Sequence, residues 1–268
     1  QVRKAKLRLN TRDNNFCSDQ ETMKLVIASL LAGCAAAFAP ASQSGRPSTA
    51  ARESVADLES LAKKLNPLVG FYDPLDLSGK EFWGTSNEET IGFLRESEVK
   101  HGRIAMFAFV GYIVHANGIH FPWAMQLDGT PFPTVSSAPE AWDSISDAAK
   151  LQIFAFIGFL EFYREVACEK HYMKGGKIGE FPAFDAKVIP GGALNYYDPF
   201  GKNKNMSAEQ KERGLRKELN NGRLAMLGIF GFLSEAKIEG SVPALKGVIS
   251  HYDGEFMAPL AKSILPSL

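Results

Sequence analysis

An internal repeat constrains this chain more than any other feature. Glu98-Val99-Lys100-His101-Gly102-Arg103-Ile104-Ala105-Met106 lines up with Glu218-Leu219-Asn220-Asn221-Gly222-Arg223-Leu224-Ala225-Met226, and the match runs on to Gly111 and Gly231. Upstream, Tyr72-Asp73-Pro74-Leu75 precedes the first copy and Tyr197-Asp198-Pro199-Phe200 the second. A turn and a helix repeated together argue for duplicated halves related by a pseudo-twofold axis. Two apolar helices alike by chance would not also copy the Glu, Gly and Arg positions.

Apolar runs predict three long helices, at about 96–118, 147–168 and 216–238. At 1.5 Å rise per residue, roughly 20 residues cover the ~30 Å hydrocarbon core of a membrane. Each helix is therefore long enough to span, provided its polar side chains are satisfied inside the protein. Composition pulls both ways. Nineteen Phe against seven Tyr and three Trp suit a membrane or a large flat apolar ligand, yet mean hydropathy is -0.11 and no run reaches the roughly 18 apolar residues of an ordinary span. Loop charge supplies a topology: 117–149 holds no Lys or Arg, whereas 170–217 holds ten. By the positive-inside rule these loops face opposite sides, with the N-terminal region on the basic side and the C-terminus across from it. The expected fold is an all-α membrane protein of three transmembrane helices, the first and third crossed, with a short C-terminal surface helix near 241–252. A soluble helical bundle is the alternative from patterning alone. Thirty Lys+Arg balance thirty Asp+Glu, which excludes nucleic-acid binding through a bulk basic field.

The N-terminal region reads as an address. Residues 1–22 precede Met23 without hydrophobic period and are taken as non-native or upstream sequence. Residues 23–37 form a signal peptide, with Lys24, an apolar stretch over 25–36 and the small-residue run Ala35-Ala36-Ala37. Residues 38–52 are rich in Ser, Ala and Pro, carry Arg46 and Arg52 and lack acids, which is transit-peptide composition. The mature domain is expected over 53–268. Cys17 and Cys34 fall in the address, so Cys168 stands alone and a disulfide framework is excluded.

The polar residues inside the expected spans carry the chemistry. Glu98 and His101 lie about 60° apart on one helix face, while Arg103 is about 140° round from Glu98. Arg103 cannot readily satisfy its own glutamate. If the two repeat helices cross, Arg103 reaches Glu218 and Arg223 reaches Glu98, and neither charge is stranded in lipid. Gly102, Ala105, Gly222 and Ala225 would let the backbones approach. Each glutamate then keeps a second oxygen free which, with His101 and Asn221, can act as an axial ligand to a metal such as Mg²⁺. Two chemistries use such ligands. Glu98-x-x-His101 fits a di-iron carboxylate signature, but the second copy places Asn221 where the second His should be. An array of chlorophylls, one ligand per Mg with Phe and Gly shaping flat slots, fits both copies.

The motifs Glu-x-x-His-Gly-Arg-x-Ala-Met at 98–106 and Glu-x-x-Asn-Gly-Arg-Leu-Ala-Met at 218–226 resemble the first and third membrane helices of the light-harvesting chlorophyll-binding protein family, over roughly 65–260. The address, with Ser234-Glu235-Ala236-Lys237 and Ser241-Val242-Pro243-Ala244-Leu245, is similar to the fucoxanthin chlorophyll a/c-binding branch of algae with secondary plastids. The resemblance implies that Glu98, His101, Glu218 and Asn221 ligate chlorophyll Mg, that Arg103 and Arg223 form the crossed pairs, and that Gln152, Glu161, Glu235 and His251 are further pigment-binding positions. It implies that Tyr72-Asp73-Pro74 and Tyr197-Asp198-Pro199 hold carotenoid end groups. The cofactors implied are chlorophyll a, chlorophyll c and fucoxanthin or a related carotenoid. The partners are thylakoid lipids, neighbouring antenna proteins and a photosystem core, with Pro190-Gly191-Gly192 resembling antennae of photosystem I. No bond is made or broken in such a function. A photoprotective, energy-dissipating member of the same fold is the second reading, with Asp128, Glu140, Asp143 and Asp147 as the acids that would sense pH.

Overall fold

A computed structural model describes residues 53–135, 137–168, 170–182, 205–256 and 260, all within one compact unit, Thr49–Leu268. The signal and transit segments, Cys17, Cys34, Pro190-Gly191-Gly192 and the second Asp-Pro turn lie outside the described residues. Among the described residues there are five α-helices: α1 (Val55–Leu65), α2 (Asn87–Ala116), α3 (Ala138–Ser144), α4 (Asp147–Ala167) and α5 (Ala208–Lys237). Short 3-10 turns lie at Phe82–Gly84, Tyr172–Lys174 and Pro243–Leu245. The described architecture is all-α.

The repeat helices α2 and α5 are each 30 residues long and start in the same way. Ser86 accepts the Glu89 N–H, and the Glu89 side chain returns to the Ser86 N–H; Ser207 and Gln210 do the same. These capping boxes satisfy donors that have no partner within the helix. They also place the starts eight or nine residues before the expected 96 and 216, because the polar first turns carry no apolar period. α1 is capped likewise by Ser54 and Asp57.

α2 and α5 cross with their backbones in contact at Gly102 and Gly222. A Cβ built on Gly102 would lie 3.1 Å from the Gly222 Cα, and one on Gly222 would lie 2.9 Å from the Gly102 Cα. On the basic side of the crossing Val99 and Leu219 pack with Leu65 of α1, and Leu61 and Ile178 close over them. On the other side Phe109 stacks on Phe232 at 4.8 Å and fills the space over Gly228, where a Cβ would meet it at 2.8 Å. α4 stands beside α2, tied by Arg164 to Glu96 at 3.1 Å with both side chains almost wholly buried.

Among the described residues no helix is long and apolar enough to cross a membrane. The physical reason is the ion pairs: Arg95, Glu96, Glu98, Lys100 and Arg103 interrupt α2, and Glu218 and Arg223 interrupt α5, but these charges are turned onto one another. The outward faces are apolar, with Phe107, Val110, Phe156, Phe162, Leu227 and Phe230 all exposed.

The C-terminal surface helix expected over 241–252 is not formed; only the 3-10 turn Pro243–Leu245 is present there. Pro243 has no N–H to give, and Gly240 and Gly247 adopt φ of +83° and +76°, outside the helical region. The segment is instead a strap. The Tyr252 N–H donates to the Ala236 carbonyl at 2.8 Å, its hydroxyl donates to Asp143 at 2.6 Å, and Lys237 Nζ donates to the Gly254 carbonyl at 2.7 Å. Burial, and then the Asp143 carboxylate, push the Tyr252 hydroxyl up to about 12.

Gly102→Val would place a branched side chain where two backbones touch, and overpacking of this kind costs about 1–3 kcal/mol or more. Its denaturation midpoint, followed by circular dichroism, should fall well below that of Gly111→Ala, a position where a Cβ meets nothing within 4 Å. Equal midpoints would show that the crossing is not set at Gly102.

Candidate functional site

The reciprocal pairs expected from the repeat are present. Arg103 Nε donates to Glu218 Oε1 at 2.5 Å, and Arg223 Nε donates to Glu98 Oε1 at 2.7 Å. Each arginine leans away from its own glutamate and across the crossing. The second oxygens differ. Glu218 Oε2 has no partner among the described residues, as expected, whereas Glu98 Oε2 is taken by the Arg95 guanidinium. The expectation of a free oxygen on both glutamates is corrected for Glu98. Arg95 is itself held at 3.3 Å by Glu53, just ahead of α1.

A second network, not anticipated from the sequence, braces the first. Glu96 Oε1 pairs with Arg164 of α4, and Glu96 Oε2 accepts the Gly179 N–H at 2.7 Å. The Gly179 carbonyl accepts from Arg103 Nη1 at 2.7 Å. Gly179 has φ +71°, and a Cβ there would lie 2.9 Å from Val99 Cγ1, so glycine is required on two counts. Arg164 also lies over the Tyr172 ring at 5.2 Å. The signal that could have found this network is the unrepeated charge: the position matching Glu96 in the second copy is Arg216, so Glu96 has to find its cation outside the repeat.

His101 is exposed beside the crossing, and its Nδ1 lies 2.8 Å from the Ser97 carbonyl. A carbonyl only accepts, so Nδ1 is the donor, and in the neutral ring Nε2 carries the lone pair. The ring lines a groove of about 490 Å³ whose other walls include Ile104, Ala108, Ile229, Phe230 and Leu233. One nitrogen lone pair on an apolar trough suits a flat macrocycle carrying Mg²⁺. Asn221, at the matching place on α5, is exposed with no hydrogen bond among the described residues.

The remaining expected positions are not brought to this groove. Gln152 is exposed on α4. Glu161, expected as a pigment-binding position, is exposed and pairs with Lys100 of α2 at 2.5 Å. Glu235 is only 2% exposed; its two oxygens accept the Gly240 and Val242 N–H groups, each at 2.8 Å. That carboxylate closes the turn after α5 and turns no oxygen outward. His251 is exposed and bonds Asp253 at 2.8 Å. Asp73 accepts the Leu77 and Ser78 N–H groups at 3.0 and 2.8 Å, chiefly the Ser78 bond holding its carboxyl below the usual carboxylate range. Its turn is thus self-supporting, with Tyr72 exposed at its edge. Among the described residues no three His, Cys, Asp or Glu side chains gather to hold a metal ion of the kind the di-iron reading needs.

Residues 57–237, from the first turn of α1 to the last residue of α5, match the model of the family described as Chlorophyll A-B binding protein. The chain belongs to this family. Its relatives include a chloroplastic fucoxanthin-chlorophyll a-c binding protein of Trieres chinensis, 41% identical over 82% of this chain and 98% of that protein. Another is the fucoxanthin-chlorophyll a-c binding protein F of Phaeodactylum tricornutum, 39% identical over 80% of this chain and 94% of that protein. The chloroplastic fucoxanthin-chlorophyll a-c binding protein B of Macrocystis pyrifera is 34% identical over 62% of this chain and 66% of that protein. Family membership places the crossed helices and their charges in a pigment-binding context.

The two ion pairs should not be equivalent. Arg103→Leu strands Glu218, which has no other described partner, and frees the Gly179 carbonyl. Both side chains are about 30% exposed, so the cost is expected to be about 1.5–3 kcal/mol, that of losing charged hydrogen bonds in a half-buried setting. Arg223→Leu leaves Glu98 on Arg95, and the Arg223 side chain is 46% exposed, so about 1 kcal/mol is expected. Chemical denaturation of both variants checks the order, and equal losses would show that Arg95 does not compensate.

Proposed function

We propose that this chain is a light-harvesting antenna protein of the plastid thylakoid membrane, holding chlorophyll a, chlorophyll c and fucoxanthin. The observation that carries the reading is His101: a nitrogen lone pair, fixed in direction by the Ser97 carbonyl, at the wall of an apolar groove beside the crossed helices. Family membership and the names of the relatives support it. Bound chlorophylls and carotenoid supply light absorption and excitation transfer. The chain itself is non-enzymatic, and its work is positional.

α2, α4 and α5 are proposed to cross the membrane. Thirty residues at 1.5 Å per residue give about 45 Å for α2 and for α5, and 21 residues give about 31 Å for α4. Their charges are compensated within the protein, and their outward faces are apolar. Such faces can meet lipid or pigment, and the uneven loop charge orients the bundle. His101, Asn221 and Glu218 are the proposed Mg ligands with lone pairs open to the outside, and Glu98 is a fourth whose oxygen is shared with Arg95. Gln152 is a candidate on α4. Glu161 joins this group only by leaving Lys100. Excitation passes to neighbouring antennae and a photosystem, with photosystem I as the finer proposal. Residues 23–37 and 38–52 are the proposed plastid address, leaving the pigment-binding domain to begin near Glu53.

His101→Leu removes one ligand and leaves both ion pairs and the Gly102–Gly222 contact untouched. Refolded with a pigment extract, it should bind about one chlorophyll fewer per chain, read from the pigment-to-protein ratio, with the helical signal unchanged. A full chlorophyll complement would remove His101 from the ligand set. N-terminal sequencing of the thylakoid protein should find a start near residue 53, and recovery of Met23 would count against the address.

A further inference from the structure

The two copies of the repeat differ at one position that touches the glutamates directly. Three residues before Glu98 stands Arg95, and three before Glu218 stands Leu215. Arg95 is well buried and bonds Glu98 Oε2, while Leu215 is 56% exposed and leaves Glu218 to Arg103 alone. Glu98 therefore lies between two guanidiniums, Arg95 and Arg223, and Glu218 faces one.

We propose that Arg95 makes the two glutamate sites unequal toward chlorophyll magnesium: Glu218 offers its second oxygen at once, and Glu98 does so only when Arg95 turns fully to Glu53. This rests on the light-harvesting reading above. Mg²⁺ takes a hard oxygen lone pair, and a lone pair spent on a charge-assisted hydrogen bond is not on offer. Two nearby cations also draw electron density from Glu98 and weaken it as a donor. Arg95 cannot simply let go, because a buried guanidinium without an acceptor is costly. Its one alternative acceptor among the described residues is Glu53, already at 3.3 Å from Nε. Release of Glu98 is thus coupled to the stretch of chain immediately ahead of α1. In the second copy no such switch exists, and the Glu218 site loads first.

Three variants move the balance in stated directions. Arg95→Leu copies the second repeat into the first, and Arg223 still compensates Glu98. Leu215→Arg copies the first into the second at an exposed position that tolerates a long side chain. Glu53→Gln removes the negative charge that draws Arg95 away, leaving only a weaker neutral acceptor. Each protein is refolded with carotenoid and increasing chlorophyll, and chlorophyll bound per chain is followed. The wild type should fill one site late. Arg95→Leu should lower the half-saturating chlorophyll of that late site roughly tenfold, the equivalent of about 1.4 kcal/mol. Leu215→Arg should create a second late site, and Glu53→Gln should delay the existing one further. In pigment-free protein in detergent, hydrogen exchange over residues 53–57 should quicken equally in Arg95→Leu and Glu53→Gln, and no further in the double variant. If Arg95→Leu fails to refold, Leu215→Arg alone decides. Loading curves unchanged in Leu215→Arg, or delayed in Arg95→Leu, overturn the assignment of Arg95 while leaving the antenna reading intact. A wild-type chain that takes up no chlorophyll overturns both.

Discussion

The constraint on which the rest of this structure depends is that in neither repeat can the motif's arginine reach its own glutamate. The Glu-to-Arg spacing of the motif puts the two charges on different faces of one helix, so the motif's glutamates and arginines pair across the copies, and Arg95 adds a second cation to Glu98 alone. That requirement brings α2 and α5 together, and Gly102 and Gly222 let them come close enough for the guanidiniums to reach. A single copy of the motif would carry two stranded charges. Only the pair is neutral, which is why helices with so many ionisable residues can still present apolar outer faces.

Around this symmetric centre the chain adds elements that are not symmetric. Phe109 lies over Gly228 where the exchange of copies would put Ile229 over Ala108. Glu96 engages α4 through Arg164, whereas Arg216 fills the matching place on α5. The surroundings of His101 and of Asn221 therefore differ, although the repeat places the two residues alike.

Much of the centre was legible in the sequence, because a repeat reports contacts between its own copies. Glu98, Arg103, Glu218 and Arg223 could be paired by helix geometry alone, and the ends of the three long helices followed from the apolar runs. What the sequence hid lies where no repeat reports. The starts of α2 and α5 are polar turns, visible only to a reader looking for Ser-x-x-Glu and Ser-x-x-Gln. α1 and α3 are too short or too mixed to stand out. Glu235 was expected as a pigment-binding position, but the backbone N–H groups of Gly240 and Val242 in the turn after α5 take both its oxygens. Glu161 was expected as a pigment-binding position, but Lys100, the residue before His101, pairs with it. Arg95 has no counterpart in the second copy, where Leu215 stands, so the repeat does not report its contact with Glu98.

Gly179 has a mechanical consequence. Its N–H is bonded to the glutamate that anchors α4, and its carbonyl to the arginine that closes the crossing. One residue, without a side chain, thus gears the middle helix to the crossed pair. A tilt of α4 that drags Arg164 and Glu96 must also tug Arg103, so the bundle moves as one rigid frame and its helices do not slide independently.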